Sequence, residues 1–217
     1  MRLPEKALEL NFCAQFTELV RPRRALWFGL TQRQEAQWGF DASSNLGGWL
    51  IFFQFKALEK IDERLWRCHA PHEQLLNLQR LSQKCRSEGA SVFYAFPLIS
   101  GDEEFLQQPQ LLPKTWLLDV EELPAMPPPR RKDGKPAKEG KHVVEVRIEK
   151  PDHTTAYIPT IHQHFQLRRA ENLANQIQES CVPQDSGERR EDSTLTTGKD
   201  MGVQTRLPLT GIGVLLW

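Results

Sequence analysis

The chain carries no surplus of charge: 28 Lys and Arg balance 28 Asp and Glu. It therefore lacks a global field that would draw in a polyanion, and any nucleic-acid contact has to come from a local patch. Cysteine is scarce, with Cys13, Cys68, Cys85 and Cys181 making up the whole set. None stands in a CxxC pair, and their spacings match no zinc motif. Cys13 and Cys85 fall on helix-patterned segments and read as buried thiols, which suits a reducing, cytoplasmic compartment. Long apolar runs are lacking as well. The opening MRLPEKALELNF scatters charges where a signal peptide needs an apolar stretch, so none is expected. No run approaches the roughly 20 apolar residues that span a bilayer, so no membrane partner is expected. The ending LPLTGIGVLLW is apolar but short, and reads either as a docking strand or as an unstructured tail. No internal repeat is visible.

What is present is ordinary globular composition, 39% hydrophobic and 26% charged over 217 residues, enough for one domain with appendages and a sizeable core. Residues 4–20 predict a helix, with Leu8, Phe12, Phe16 and Leu19 on one face. ALWFGL (25–30) reads as a buried strand. Thr31 is a candidate cap for the polar stretch that follows, and Asn45, Gly47 and Gly48 signal a turn. WLIFFQFK (49–56) is the clearest strand, and APHEQLLNLQRLSQKCRSEG the clearest helix, stopped by Gly89. SVFYAFPLI (91–99) is a second buried strand. PKTWLLDV (113–120) and HVVEVRIE (142–149) are further strands around a basic Pro- and Gly-rich loop (126–141). The expected layout is an α/β domain over 1–165, a C-terminal helix over 166–180 and a disordered tail over 181–217.

In WLIFFQFK, Ile51, Phe53 and Phe55 point one way, and Leu50, Phe52, Gln54 and Lys56 the other. Both faces begin apolar, so the strand is central and covered on both sides. One face turns polar only at its C-terminal end. A buried unpaired amide costs about 1–3 kcal/mol and an ammonium more, so these two groups need partners. Asp41 precedes them through a glycine turn. An antiparallel hairpin brings it beside them, in an Asp-x12-Gln-x-Lys pattern. A carboxylate, an amide oxygen and an ammonium at one sheet edge suit oxygen ligation of Mg2+, with a lysine to orient water at a phosphate.

The residues WGFDA…FFQFK resemble the central motif of the PD-(D/E)XK nuclease superfamily. The resemblance covers roughly residues 5–99. It implies a restriction-endonuclease-like core: helix, three strands, helix and strand, with a mixed central sheet flanked by helices. Carried over by position, Asp41 is the metal-bridging carboxylate, Gln54 the third-strand ligand and Lys56 the catalytic lysine. No proline precedes Asp41, and Gln54 stands where most members have an acid, as in the Gln-x-Lys branch. The missing charge has to come from another carboxylate. Glu9 on the first helix and Glu35 near Asp41 are equal candidates, with Glu18 behind them. The implied activity is Mg2+- or Mn2+-dependent hydrolysis of DNA by an endonuclease of bacterial or mobile-element defence, acting as a homodimer or with a partner defence protein. The alternative is a nucleic-acid- or protein-binding module on the same fold with a degraded site.

Other residues are weighed beside this set. His72 and Gln74, with His69 nearby, open the second helix and are candidates to touch a phosphate or water; the simpler reading is a half-solvated histidine at a helix start. His162 and His164 share a face if their segment is extended, but no third metal ligand accompanies them. Arg21, Arg23, Arg24 and the basic loop are candidate DNA-backbone contacts, with Arg23 and Arg24 favoured, or else solvated surface. Trp27, Trp38, Trp49 and Trp66 are most simply core or rim packing.

Overall fold

Pro4 opens helix α1 (Glu5–Leu19) in an extended conformation, and Glu5 sits in the first turn where the helix dipole favours a carboxylate. The structure is a computed structural model and describes residues 3–21, 24–46, 49–130 and 140–180. Arg23, Gly47, Gly48, residues 131–139 of the basic loop and the tail from 181 onward, Cys181 included, lie outside them. After α1 come strand β1 (Leu26–Gly29) and helix α2 (Gln32–Trp38). Thr31 caps α2 through a reciprocal pair of bonds, its hydroxyl taking the Gln34 N–H while the Gln34 side chain takes the Thr31 N–H. Strands β2 (Ala42–Leu46) and β3 (Trp49–Phe55) then pair antiparallel, from Ala42 opposite Phe53 to Leu46 opposite Trp49.

Between β3 and its parallel neighbour β6 (Ser91–Pro97) run β4 (Glu59–Lys60), β5 (Leu65–Pro71) and helix α3 (His72–Cys85). Helix α4 (Asp102–Gln107) and β7 (Thr115–Asp119) follow. The chain then forms β8 (Lys141–Lys150), β9 (His153–Ile158), β10 (Gln163–Gln166), β11 (Arg168–Arg169) and helix α5 (Ala170–Glu179). Two sheets result, a mixed one in the order β1-β2-β3-β6-β7-β11 and an antiparallel one in the order β10-β9-β8-β5-β4. The described residues belong to one compact unit, Met1–Val182. No described helix is long and apolar enough to cross a membrane.

The central position of β3 is borne out. Ile51, Phe53 and Phe55 join Leu8, Phe12 and Phe16 of α1 and Leu173 and Ile177 of α5 in one core. Phe52, on the other face, packs with Leu75, Leu78 and Leu81 of α3 in a second core. The expected face of helices is only half right. Beside α3 lies the second sheet, which contributes Trp66, Cys68, Val144, Val146, Ala156 and Phe165. The expectation of a buried β1 is corrected too. Leu26 and Phe28 are 60% and 37% exposed, because β1 is the edge of the mixed sheet and only Trp27 turns inward, against Phe16 and Phe53. Cys85 is buried, whereas Cys13 is only half-buried on α1.

Phe53 is the hub of this packing. It is fully buried, with ring contacts to Phe12, Phe16, Trp27, Phe55 and Phe93 at 5.1–6.1 Å. Phe53→Ala is expected to cost about 3–5 kcal/mol in urea denaturation. A loss below about 1 kcal/mol contradicts this packing.

Candidate functional site

Asp41 owes its position to Gly39. That glycine ends α2 with a φ of +82°, a conformation that a side chain disfavours. A Cβ there would lie 2.9 Å from the Gln74 carbonyl and 3.2 Å from the Asn77 Cβ, so α2 closes directly against α3. The chain then drives Phe40 into the core against Phe52, ring to ring at 4.8 Å, and the next residue emerges at the end of β3. The Asp41 N–H donates to the Phe53 carbonyl at 2.9 Å, one step beyond the last register pair.

Of the three residues expected to converge, Asp41 and Gln54 meet directly. Asp41 Oδ2 accepts two hydrogen bonds of 2.7 Å, one from Gln54 Nε2 and one from the Phe55 N–H. Gln54 Nε2 also donates to the Phe55 carbonyl at 3.0 Å. Two acceptors on one side fix the amide orientation, since the flipped amide would set oxygen against oxygen. Gln54 Oε1 is thereby turned away, buried and without a partner, in a residue only 1% exposed. Such an orphan costs about 1–3 kcal/mol, and a cation beside it would remove that cost.

Lys56 lies one residue past β3 and is buried. Its N–H donates to the Ala95 carbonyl, and its ammonium lies 4.0 Å from Glu5 Oε1, the limit of an ion pair. Glu5 also accepts the Ala57 N–H at 3.1 Å, which ties the start of α1 to the strand end. One turn along α1, buried Glu9 accepts from Lys6 with both oxygens, at 2.8 and 2.9 Å. Glu5 and Lys6 are additions to the residues that the sequence motif marks. Glu5 and Glu9 stand four residues apart on one helix face, and that spacing was the available signal.

The carboxylates act on one another across this site. Burial is the main force raising the Asp41 carboxyl to about 6; the Phe55 N–H and Lys56 oppose it, and Glu5 and Glu9 add to it. Burial also raises Glu9, against its bonds to Lys6, with a smaller push from Glu35. Glu35, on α2, thus belongs to the same electrostatic neighbourhood through its effect on Glu9 and Lys6. Glu18 does not belong. It is exposed and paired with Arg21 at 2.9 Å, nine residues beyond Glu9 and so roughly 13 Å along the helix. Among the described residues, no three His, Cys, Asp or Glu side chains are gathered closely enough to hold a metal as they stand. Glu9 is turned onto Lys6, and Glu5 onto Ala57 and Lys56.

The remaining candidates divide. His72 is not the half-solvated histidine expected at a helix start. It is buried, and its Nδ1 shares a 2.9 Å hydrogen bond with Nε2 of His142, whose Nδ1 reaches Thr160 Oγ1 at 3.1 Å. Burial, helped by His72, pushes His142 down to about 4. His142 was passed over because it opens a strand whose alternation gives no hint of a partner 70 residues away. The Gln74 carbonyl packs against Gly39, and the side-chain Oε1 of Gln74 is buried without a hydrogen-bond partner. His69 is exposed on β5. His162 is not extended, having a φ of +54°; it bonds the Tyr157 hydroxyl at 3.2 Å, while His164 stacks on the Tyr157 ring at 4.6 Å. Arg24 is exposed.

No protein-family model matches the chain, and no curated protein matches its sequence.

A raised carboxyl means that the folded protein binds more protons than the unfolded chain between about pH 4 and pH 6. The contribution of Asp41 to stability is therefore complete below its unfolded value of 3.8 and declines as pH rises through about 6. Asp41→Asn removes this dependence. In urea denaturation, wild type should lose on the order of 2 kcal/mol relative to the variant between about pH 4 and pH 7. Parallel stability curves for the two proteins contradict the burial assigned to Asp41.

Proposed function

We propose that the protein is a metal-dependent phosphodiesterase acting on nucleic acid, with DNA as the favoured substrate, and that its core is of the restriction-endonuclease type. The observation that carries this reading is the unpartnered, buried Oε1 of Gln54 beside the Asp41 carboxylate, at the strand end where Lys56 follows. The order of α1, β1, β2, β3, α3 and β6 supports it, with β3 and β6 parallel. The donors that would hold Mg2+ or Mn2+ are Asp41 and Gln54 Oε1, completed by Glu9 or Glu35. All are hard oxygens, which suits these ions. A divalent ion held there supplies Lewis-acid polarisation of a phosphoryl oxygen. Asp41 has to be ionised to serve, so protons compete with the ion for it, and its burial strengthens that competition as pH falls. Lys56, whose buried ammonium lies 4.0 Å from Glu5, donates hydrogen bonds that orient a water and stabilise developing negative charge.

A second reading has its own support. Glu9 is already satisfied by Lys6, and Glu5 by Ala57 and Lys56, so the acids are paired within the protein. A binding module on this fold, without hydrolysis, would retain that pairing.

Plasmid cleavage in Mg2+ or Mn2+ separates the two. The nuclease reading predicts nicking or linearisation by wild type and a loss of about 100-fold or more in Lys56→Ala. No cleavage by wild type, or equal cleavage by the variant, overturns it. DNA retention in a mobility-shift assay without cleavage favours the binding module.

A further inference from the structure

We propose that Lys6 is a cationic gate on this site: its ammonium occupies Glu9 when no divalent ion is bound and has to release it before Glu9 can join Asp41 and Gln54 as a donor. This rests on the reading of Asp41 and Gln54 as metal-holding groups.

Geometry supplies the asymmetry a gate needs. Lys6 holds both oxygens of Glu9, at 2.8 and 2.9 Å. The Lys6 side chain is 55% exposed and that of Glu9 only 8%. Lysine can swing its flexible stem into solvent and be rehydrated there, whereas the Glu9 carboxylate stays in the protein. A buried carboxylate that stays ionised gains from a compensating cation, and an ammonium or a divalent ion can each fill that place.

Two further observations place this exchange at the candidate site. Glu35 and Asp41 both reinforce the positive charge on Lys6, after the larger effect of its bond to Glu9, so the ammonium lies within the field of the other proposed donors. The Oε1 of Gln54, without a hydrogen-bond partner among the described residues, is a separate oxygen left open beside Asp41. The lysine therefore neutralises part of the acidic set and leaves the amide oxygen unsatisfied, as expected of a substitute cation.

The test measures Mn2+ binding to the full chain, by calorimetry and by electron paramagnetic resonance of free Mn2+, without reference to cleavage. Lys6→Met keeps a good helix former at an exposed position, and circular dichroism checks that it folds. It is expected to bind Mn2+ about fivefold more tightly than wild type, the scale of one partly exposed ion pair. Lys6→Arg, which keeps the cation, should match wild type. The gain from Lys6→Met should vanish in a Glu9→Gln background, which separates release of Glu9 from a general change in charge. Unchanged affinity in Lys6→Met, with binding still abolished by Asp41→Asn, overturns the gate and leaves the metal site standing. A gain that persists in Glu9→Gln also overturns the gate. Absence of Mn2+ binding in every variant removes both the gate and the metal-dependent reading.

Discussion

Asp41 Oδ2 accepts from Gln54 Nε2 and from the Phe55 N–H at the same 2.7 Å distance, and the candidate site is organised around that pair of hydrogen bonds. It sets the amide of Gln54, and through the amide the direction of the orphan oxygen. It depends in turn on the glycine that ends α2 and on the pairing of β2 with β3. Phe53 and Phe55 anchor the same strand on its other face, so the polar end cannot shift without disturbing the aromatic core beneath it. The contact also has a cost. A carboxylate held this deep resists ionisation, and Lys56 and the Phe55 N–H only partly compensate.

Around this centre, α1 supplies charges in alternation: Glu5, Lys6 and Glu9. Each has a partner, and those partners differ in burial. Glu5 binds the backbone just beyond Lys56 and fixes the helix to the sheet. Glu9 is held by a side chain that stands largely in water. The first contact reads as structural and the second as exchangeable, because a solvated ammonium gives up little on release. This division is what lets one helix both brace the site and, in the proposed function, open it.

Much of this was legible in the sequence. Alternation along WLIFFQFK placed Gln54 and Lys56 at the polar end of a covered strand, and the turn signal gave the hairpin that brings Asp41 to them. The helix faces of α1 and α3 followed from spacing alone. The second sheet did not. In β5, Trp66, Cys68 and Ala70 alternate inward with Arg67 and His69 between them, but the stretch is short and lies between a charged run and the start of α3. An apolar run likewise failed to distinguish an edge from a centre at β1, because burial there depends on which strand is absent on one side. The partners of Glu9 and His72 were missed for a related reason. Each pairing is a choice among charged or polar groups that composition does not rank, and the second spans a long sequence separation.

In the proposed function, Asp41 and Gln54 Oε1 together form half of a divalent-ion site. Anomalous diffraction from crystals soaked in Mn2+ tests it most directly. A single strong peak is expected within coordination distance of an Asp41 oxygen and Gln54 Oε1, with the Lys6–Glu9 bond broken. An absent peak, or an ordered water hydrogen-bonded to Gln54 Oε1 with Lys6 still on Glu9, contradicts it.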